Sequence, residues 1–253
     1  MTTLIQLLSG FISSLAANLV SAFSGGGNSL ILLPLLLLTT TGTYAGSLTI
    51  AKISATIMTM VSGKMHWKRN LIDRKLLVVL TLAGVIGTTI GTYFLQYHFN
   101  EALFKKLLAI ILLLTALYLV FSKKQNQVKS SRRMMTTKAL IICACFTLII
   151  DILNGIFGGT GIFLTIFLVT YLEMNFVEAI AYTMLSCLII NIIQVSYLIF
   201  TEPVSIALTI GVMIGAFAGS WLGTHLLYLK GKRWVKLACI LMMVLIGLKM
   251  LFS

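Results

Sequence analysis

Two charged residues stand inside stretches that are otherwise apolar: Lys52, in SLTIAKISAT, and Asp151, in TLIIDILNG. A charge at the middle of a membrane-spanning helix costs about 2.5–3.5 kcal/mol on insertion scales, so each must face protein or water rather than lipid. The lysine has the charge to hold an anion, and the carboxylate could gate a path or take part in proton coupling. Both could equally pair with each other, or with backbone groups, for structure alone.

Two glycine runs interrupt the same kind of apolar sequence. The first lies in SAFSGGGNSLILLP, Ser21 to Pro34, and the second, FGGTG at Phe157 to Gly161, follows about 134 residues later. Glycines in membrane helices often serve only to let helices approach closely. Here, however, the breaks occupy matching places in the two halves of the chain, and each is followed by a short apolar arm. That combination points to a transporter binding site built on discontinuous helices. An arm starting near Asn28 or Ser29, and its counterpart near Thr160, would aim unbonded backbone N–H groups and the positive end of a helix dipole at the midplane. Such a site attracts anions. The candidate residues are therefore Gly25, Gly26, Gly27, Asn28 and Ser29 from the first break, and Gly158, Gly159, Thr160 and Gly161 from the second, with Lys52 supplying charge. Asn191, a polar side chain deep in an apolar run, is either a contact for the ligand or a helix-to-helix hydrogen bond.

Nothing in the chain assembles an enzyme. His66, His98 and His225 are scattered, there is no HExxH, no GxSxG and no cluster of carboxylates, so no nucleophile meets a base and no metal site forms. Cys143 and Cys145, two positions apart on a helix, point in different directions and cannot chelate one metal. The reading is therefore no catalytic residue, no metal and no cofactor.

The elements that must hold these residues follow from composition. The chain has 253 residues, 59% hydrophobic and 10% charged, with mean hydropathy +1.05. Several apolar runs reach the ~20 residues that a helix needs to cross ~30 Å of hydrocarbon. Strict alternation is absent, which excludes a β-barrel reading. The expected fold class is all-α, a polytopic membrane protein. Each half reads as a Gly-broken hairpin plus three transmembrane helices: residues 3–40, 45–62, 75–96 and 102–121 in the first, and 139–172, 177–200, 204–228 and 234–252 in the second. The domain boundaries are then 1–122 for the first repeat, 123–138 for a basic linker and 139–253 for the second repeat.

The net charge of +13 does not indicate nucleic acid, because 15 of the 19 Lys and Arg fall in residues 64–75, 123–138 and 230–236. This is the pattern of cytoplasmic loops. If each broken segment crossed once, residues 230–236 would lie opposite the linker, whereas all three share one side if each returns to the side it started from. Each half then has three single crossings, the halves have inverted topology, and both termini lie outside. No basic n-region precedes the first apolar run, so a cleaved secretory signal is not expected. The partners implied are a small anionic substrate and the lipid bilayer, with no nucleic acid. Alternating access by rocking of the halves is the expected mechanism; a passive anion channel and a non-transporting membrane subunit are the alternatives.

AFSGGGNSLILLPLLL at Ala22 to Leu37, NGIFGGTGIF at Asn154 to Phe163 and EAIAYTMLSCLIIN at Glu178 to Asn191 resemble the glycine-rich motifs and the second-half helix of the TauE/SafE (sulfite exporter, TSUP) anion transporters. The resemblance extends over essentially the whole chain. It implies transport of sulfur-containing or related organic anions, such as sulfite or sulfonates, across the bacterial cytoplasmic membrane. It also implies that Thr183 and Asn191 are polar site positions and that Lys52 is the lysine of the first-half helix. The chain departs from the family pattern in having Asn154 where many members have aspartate and Met184 at the second-half lysine position.

Overall fold

The computed structural model describes residues 2–24, 26–39, 43–67, 72–97, 136–201 and 203–230, with isolated positions between 106 and 117 and at 244. These residues form eight helices: α1 (Thr2–Ser24), α2 (Asn28–Thr39), α3 (Tyr44–Trp67), α4 (Arg74–Tyr97), α5 (Thr137–Phe157), α6 (Gly161–Tyr171), α7 (Phe176–Leu198) and α8 (Ile206–Lys230). Six are long and apolar enough to cross a membrane; α2 and α6, with 12 and 11 residues, are not. At 1.5 Å per residue the short arms reach only about 18 Å. The expected third single crossing of each half, 102–121 and 234–252, and the linker 123–138 lie almost wholly outside the described residues.

The helix ends follow local chemistry. The Thr136 hydroxyl accepts from the Ala139 N–H at 3.3 Å to start α5, and the Asn175 side chain accepts from the Val177 N–H at 3.3 Å to start α7. The breaks require glycine: Gly26, Gly27, Gly158 and Gly159 have φ of +118°, +94°, +71° and +73°, a region that side chains with a Cβ rarely enter.

Parallel, glycine-faced pairs set the helix directions. Gly211, Gly215, Gly219 and Gly223 of α8 lie against Leu7, Phe11, Leu15 and Leu19 of α1, each step of four matched by a step of four. The two helices therefore run the same way, with backbones close enough that no Cβ fits between them. Gly87 and Gly91 of α4 lie in the same manner against Leu148 and Ile152 of α5. Helix α3 runs parallel to α8, from Gly46 beside the Pro203 carbonyl to Ser62, hydrogen-bonded to Thr224 at 2.8 Å. Helix α4 runs parallel to α7, from the Asp73 N–H donating to the Tyr182 hydroxyl at 2.6 Å to Gln194 donating to Thr92 at 3.0 Å.

These directions determine the path of the chain. α1 and α3 point the same way, so α2 carries the chain back to the side where α1 began; α5 and α7 likewise share a direction across α6. With α3 and α4 joined by a short connection and hence antiparallel, the first arms of the two halves run in opposite senses. Lys64, Arg74, Lys75, Lys138 and Lys230 then fall on one side of the bundle. The helix pairings also exchange between halves: α1 packs on α8 and α5 on α4, while α3 meets α7. This is the arrangement expected of two inverted repeats.

Candidate functional site

The two breaks face each other. A Cβ on Gly26 would stand 3.1 Å from the Gly161 Cα, one on Gly27 3.3 Å from the Gly159 carbonyl oxygen, and one on Gly159 2.5 Å from the Leu30 nitrogen. Helices α1 and α5 end at Ser24 and Phe157, and α2 and α6 start at Asn28 and Gly161, both pairs 133 positions apart. Three contacts anchor the second break. The Tyr44 hydroxyl donates to the Ile156 carbonyl at 3.1 Å, Gln194 donates to the Gly155 carbonyl at 3.1 Å, and Thr160 donates to the Ile150 carbonyl at 3.1 Å.

Beside the meeting point lies a narrow cleft of about 330 Å³, counting its open mouth. Gly26, Gly27, Asn28 and Ser29 line it from the first break, Gly159 and Gly161 from the second, Lys52 from α3, and Thr183 and Asn191 from α7. The N-terminal ends of α2 and α6 both border it, and the first-turn N–H groups of a helix have no intrahelical acceptor. Of the other sequence candidates, Gly158 packs on Ser29 just behind the wall, Thr160 turns to the Ile150 carbonyl, and Asp151 sits one layer deeper. Gly25 lies outside the described residues.

Lys52 is 1% exposed, and its ammonium donates to Asn154 Oδ1 at 2.8 Å. The Asn154 amide nitrogen in turn donates to Asp151 Oδ1 at 3.0 Å. A neutral amide thus joins the two charges, leaving two of the three ammonium hydrogens of Lys52 for other acceptors. Asn28 donates to Ser54 at 3.1 Å, while its Oδ1 and the Ser29 hydroxyl are buried without partners. A buried hydroxyl or amide left unbonded is costly and so marks a place where a ligand or water can add a bond. Thr183 has less to offer: its hydroxyl donates to the Ala179 carbonyl at 3.0 Å and accepts from Thr165 at 2.9 Å.

Several contributors do not stand out in the sequence. Asn154, notable there only as a departure from a family pattern, is the bridge between the charges. Ser54 accepts from Asn18 at 2.9 Å and from Asn28, and lies 3.1 Å from Ser14, whose hydroxyl donates to the Val212 carbonyl at 2.7 Å. That network ties α1, α2, α3 and α8 behind the first break. Buried polar residues four apart, Ser14 with Asn18, were the available signal. Ala55, Met58 and Thr59 of α3, Asn154 of α5, and Met184 and Cys187 of α7 complete the lining.

What the arrangement can do follows from its sign. The cleft presents one ammonium, a free hydroxyl and two helix N-termini, and no carboxylate lines it among the described residues. It is fitted to a small anion.

The chain is similar to known membrane transporter proteins. The chain is 24% identical over 246 residues to a "Probable membrane transporter protein" of Haemophilus influenzae, covering 96% of this chain and 93% of that protein. It is 25% identical over 255 residues to the "Probable membrane transporter protein YfcA" of Escherichia coli K12, covering 98% and 88%. No solved structure gives a significant match. The family described as "Sulfite exporter TauE/SafE" matches residues 10–250, a span that takes in both breaks, Lys52 and Asp151. The chain is a multi-pass membrane protein that belongs to the TauE/SafE family.

Proposed function

We propose that this protein is a secondary transporter of small sulfur-containing or related organic anions, of the sulfite and sulfonate class, acting by alternating access in the cytoplasmic membrane. The observation that carries the reading is a buried ammonium, Lys52, held by a neutral amide in a cleft where two half-helix N-termini converge. Gly27, Asn28, Ser29, Gly159 and Gly161 supply backbone and hydroxyl donors, Gly26, whose own N–H is taken by the Ser21 carbonyl at 3.2 Å, shapes the wall, Lys52 supplies charge, and Asn191 borders the anion. Asp151 lies outside direct contact and serves in coupling or gating. The basic side of the bundle faces the cytoplasm with the linker 123–138, by the positive-inside rule, and the termini lie outside. The repeats 1–122 and 139–253 rock about the site to open it to either side.

Flux in proteoliposomes tests the reading, using sulfite, methanesulfonate, thiosulfate and small carboxylates with and without ion gradients. Accumulation of a sulfur oxyanion against its gradient is the expected result. Flux that only equilibrates would make the protein a channel, and no flux of any anion would remove transport.

A further inference from the structure

We propose that Asp151 is the site where a transported proton binds, and that Asn154 is the positioning residue through which this proton releases the Lys52 charge to the anion. The inference rests on the reading of the cleft as an anion site and adds the coupled ion to it.

The internal repeat carries the argument. Asp151 is buried; its Oδ1 accepts from Asn154, and its Oδ2 has no partner. One helical turn earlier, the Thr147 hydroxyl is also buried without a partner. The positions 133 residues before these are Asn18 and Ser14, and there the same two places are joined: the Asn18 amide nitrogen donates to the Ser14 carbonyl at 2.6 Å and to the Ser14 hydroxyl oxygen at 2.9 Å. The halves thus differ at this point by a donor hydrogen. A proton on Oδ2 of Asp151 gives the second half the donor that the first half carries permanently as an amide.

The surroundings leave room for that proton. Gly84 of α4 faces Oδ2, and a Cβ there would stand 2.7 Å from it. The titratable groups facing Asp151 are Lys52 from α3 and Cys187 from α7; α4 presents Gly84 and Thr88, and α5 itself presents Asn154 and Thr147. Among the described residues, Lys52 is therefore the one positive charge that the carboxylate opposes.

With Asp151 ionised, the chain Lys52–Asn154–Asp151 is neutral overall and the ammonium is balanced. With Asp151 protonated it carries one positive charge, which the anion in the cleft then balances. Proton and anion each raise the affinity for the other by the same factor. The proton enters from the water on the side the cleft faces and leaves with the anion, so a singly charged anion moves with one proton and no net charge.

The full-length protein in liposomes provides the test. Infrared difference spectra between alkaline and acid pH, with no anion added, are expected to show the carbonyl stretch of a protonated buried carboxyl in the wild type and to lose it in Asp151→Asn. That variant places in the second half the amide already present at Asn18. Methanesulfonate carries no proton of its own; its uptake by the wild type should be accelerated by an inward proton gradient and accompanied by proton entry read with a trapped pH dye. In Asp151→Asn the acceleration and the dye signal should vanish. Absence of the infrared band in the wild type, its persistence in the variant, or proton-driven uptake by the variant would each overturn the proposal. A band that is lost in the variant, with no anion moved by the wild type, upholds the proton site and removes the transport reading instead. Should Asp151→Asn fail to fold, Thr147→Val removes the acceptor for the new hydrogen, and the proton affinity read from the band should fall at least threefold; an unchanged affinity would refute the assignment.

Discussion

Lys52 has no counter-charge bonded directly to it because its partner is an amide, and two of its three donor hydrogens stay free. A carboxylate at Asn154 would form a direct ion pair with the ammonium and compete with any anion. Asn154→Asp is therefore expected to weaken anion binding, and binding titrations on the purified variant would show it; equal or tighter binding would mean that Lys52 does not face the ligand. Lys52→Met removes the charge itself. A charge-assisted hydrogen bond is worth about 1.5–3 kcal/mol, so affinity should fall by about tenfold to a hundredfold while the protein stays folded. Unchanged affinity in a folded Lys52→Met protein would take Lys52 out of the site. Lys52 and Asp151 were legible in the sequence because a charge within an apolar run is conspicuous. Asn154, Ser54 and Asn18 were not, since a small polar side chain in a membrane helix commonly bonds within its own helix or to a neighbour, and only the fold says which partner it meets.

At the scale of the helix, each break is held by glycines that tolerate no side chain. Gly159 combines a φ of +73° with a Cβ position 2.5 Å from the Leu30 nitrogen. Gly159→Ala should therefore disturb the meeting of the two breaks and abolish flux, and a variant with wild-type flux would contradict this role. Gly215 acts differently, since its helix is regular and its restriction is the Phe11 carbonyl of α1. Overpacking of such a contact typically costs about 1–3 kcal/mol. Gly215→Leu should lower the thermal midpoint in detergent without changing the chemistry of the cleft. The positions of the breaks could be read from the sequence, because no other residue explains a glycine run between two apolar arms. The partners of the glycine faces could not: a spacing of four identifies a face, and nothing in one chain says whether α1 or some other helix covers it.

At the scale of the molecule, the parallel pairs make a statement about sides. Single cysteines at Lys64, Lys75 and Lys138, in a background without Cys143, Cys145, Cys187 and Cys239, should all react with a membrane-impermeant maleimide from the same face. Cysteines at Tyr97 and Ser205 should react from the other. Labelling of position 75 and position 138 from opposite faces would break the hairpin arrangement of α5 and α6. The charge distribution anticipated this grouping, because the stretch 230–236 could share a side with the other two only if the second broken segment turned back. It could not anticipate that the first arm of each half would be held by the last described helix or the fourth helix of the other.

That exchange has a consequence for how the protein is built and how it can move. Each half contributes a glycine-faced helix whose complement belongs to the other, α8 for α1 and α4 for α5. A half expressed alone would present its bare backbone groove to lipid, with no helix among its described residues shaped to fill it. The two halves produced as separate polypeptides should consequently accumulate only when made together, and either one alone should be degraded. The seam left by the duplication is therefore closed at two places, and any motion of one half against the other must slide along the α1–α8 and α4–α5 pairs or carry a helix of the opposite half with it.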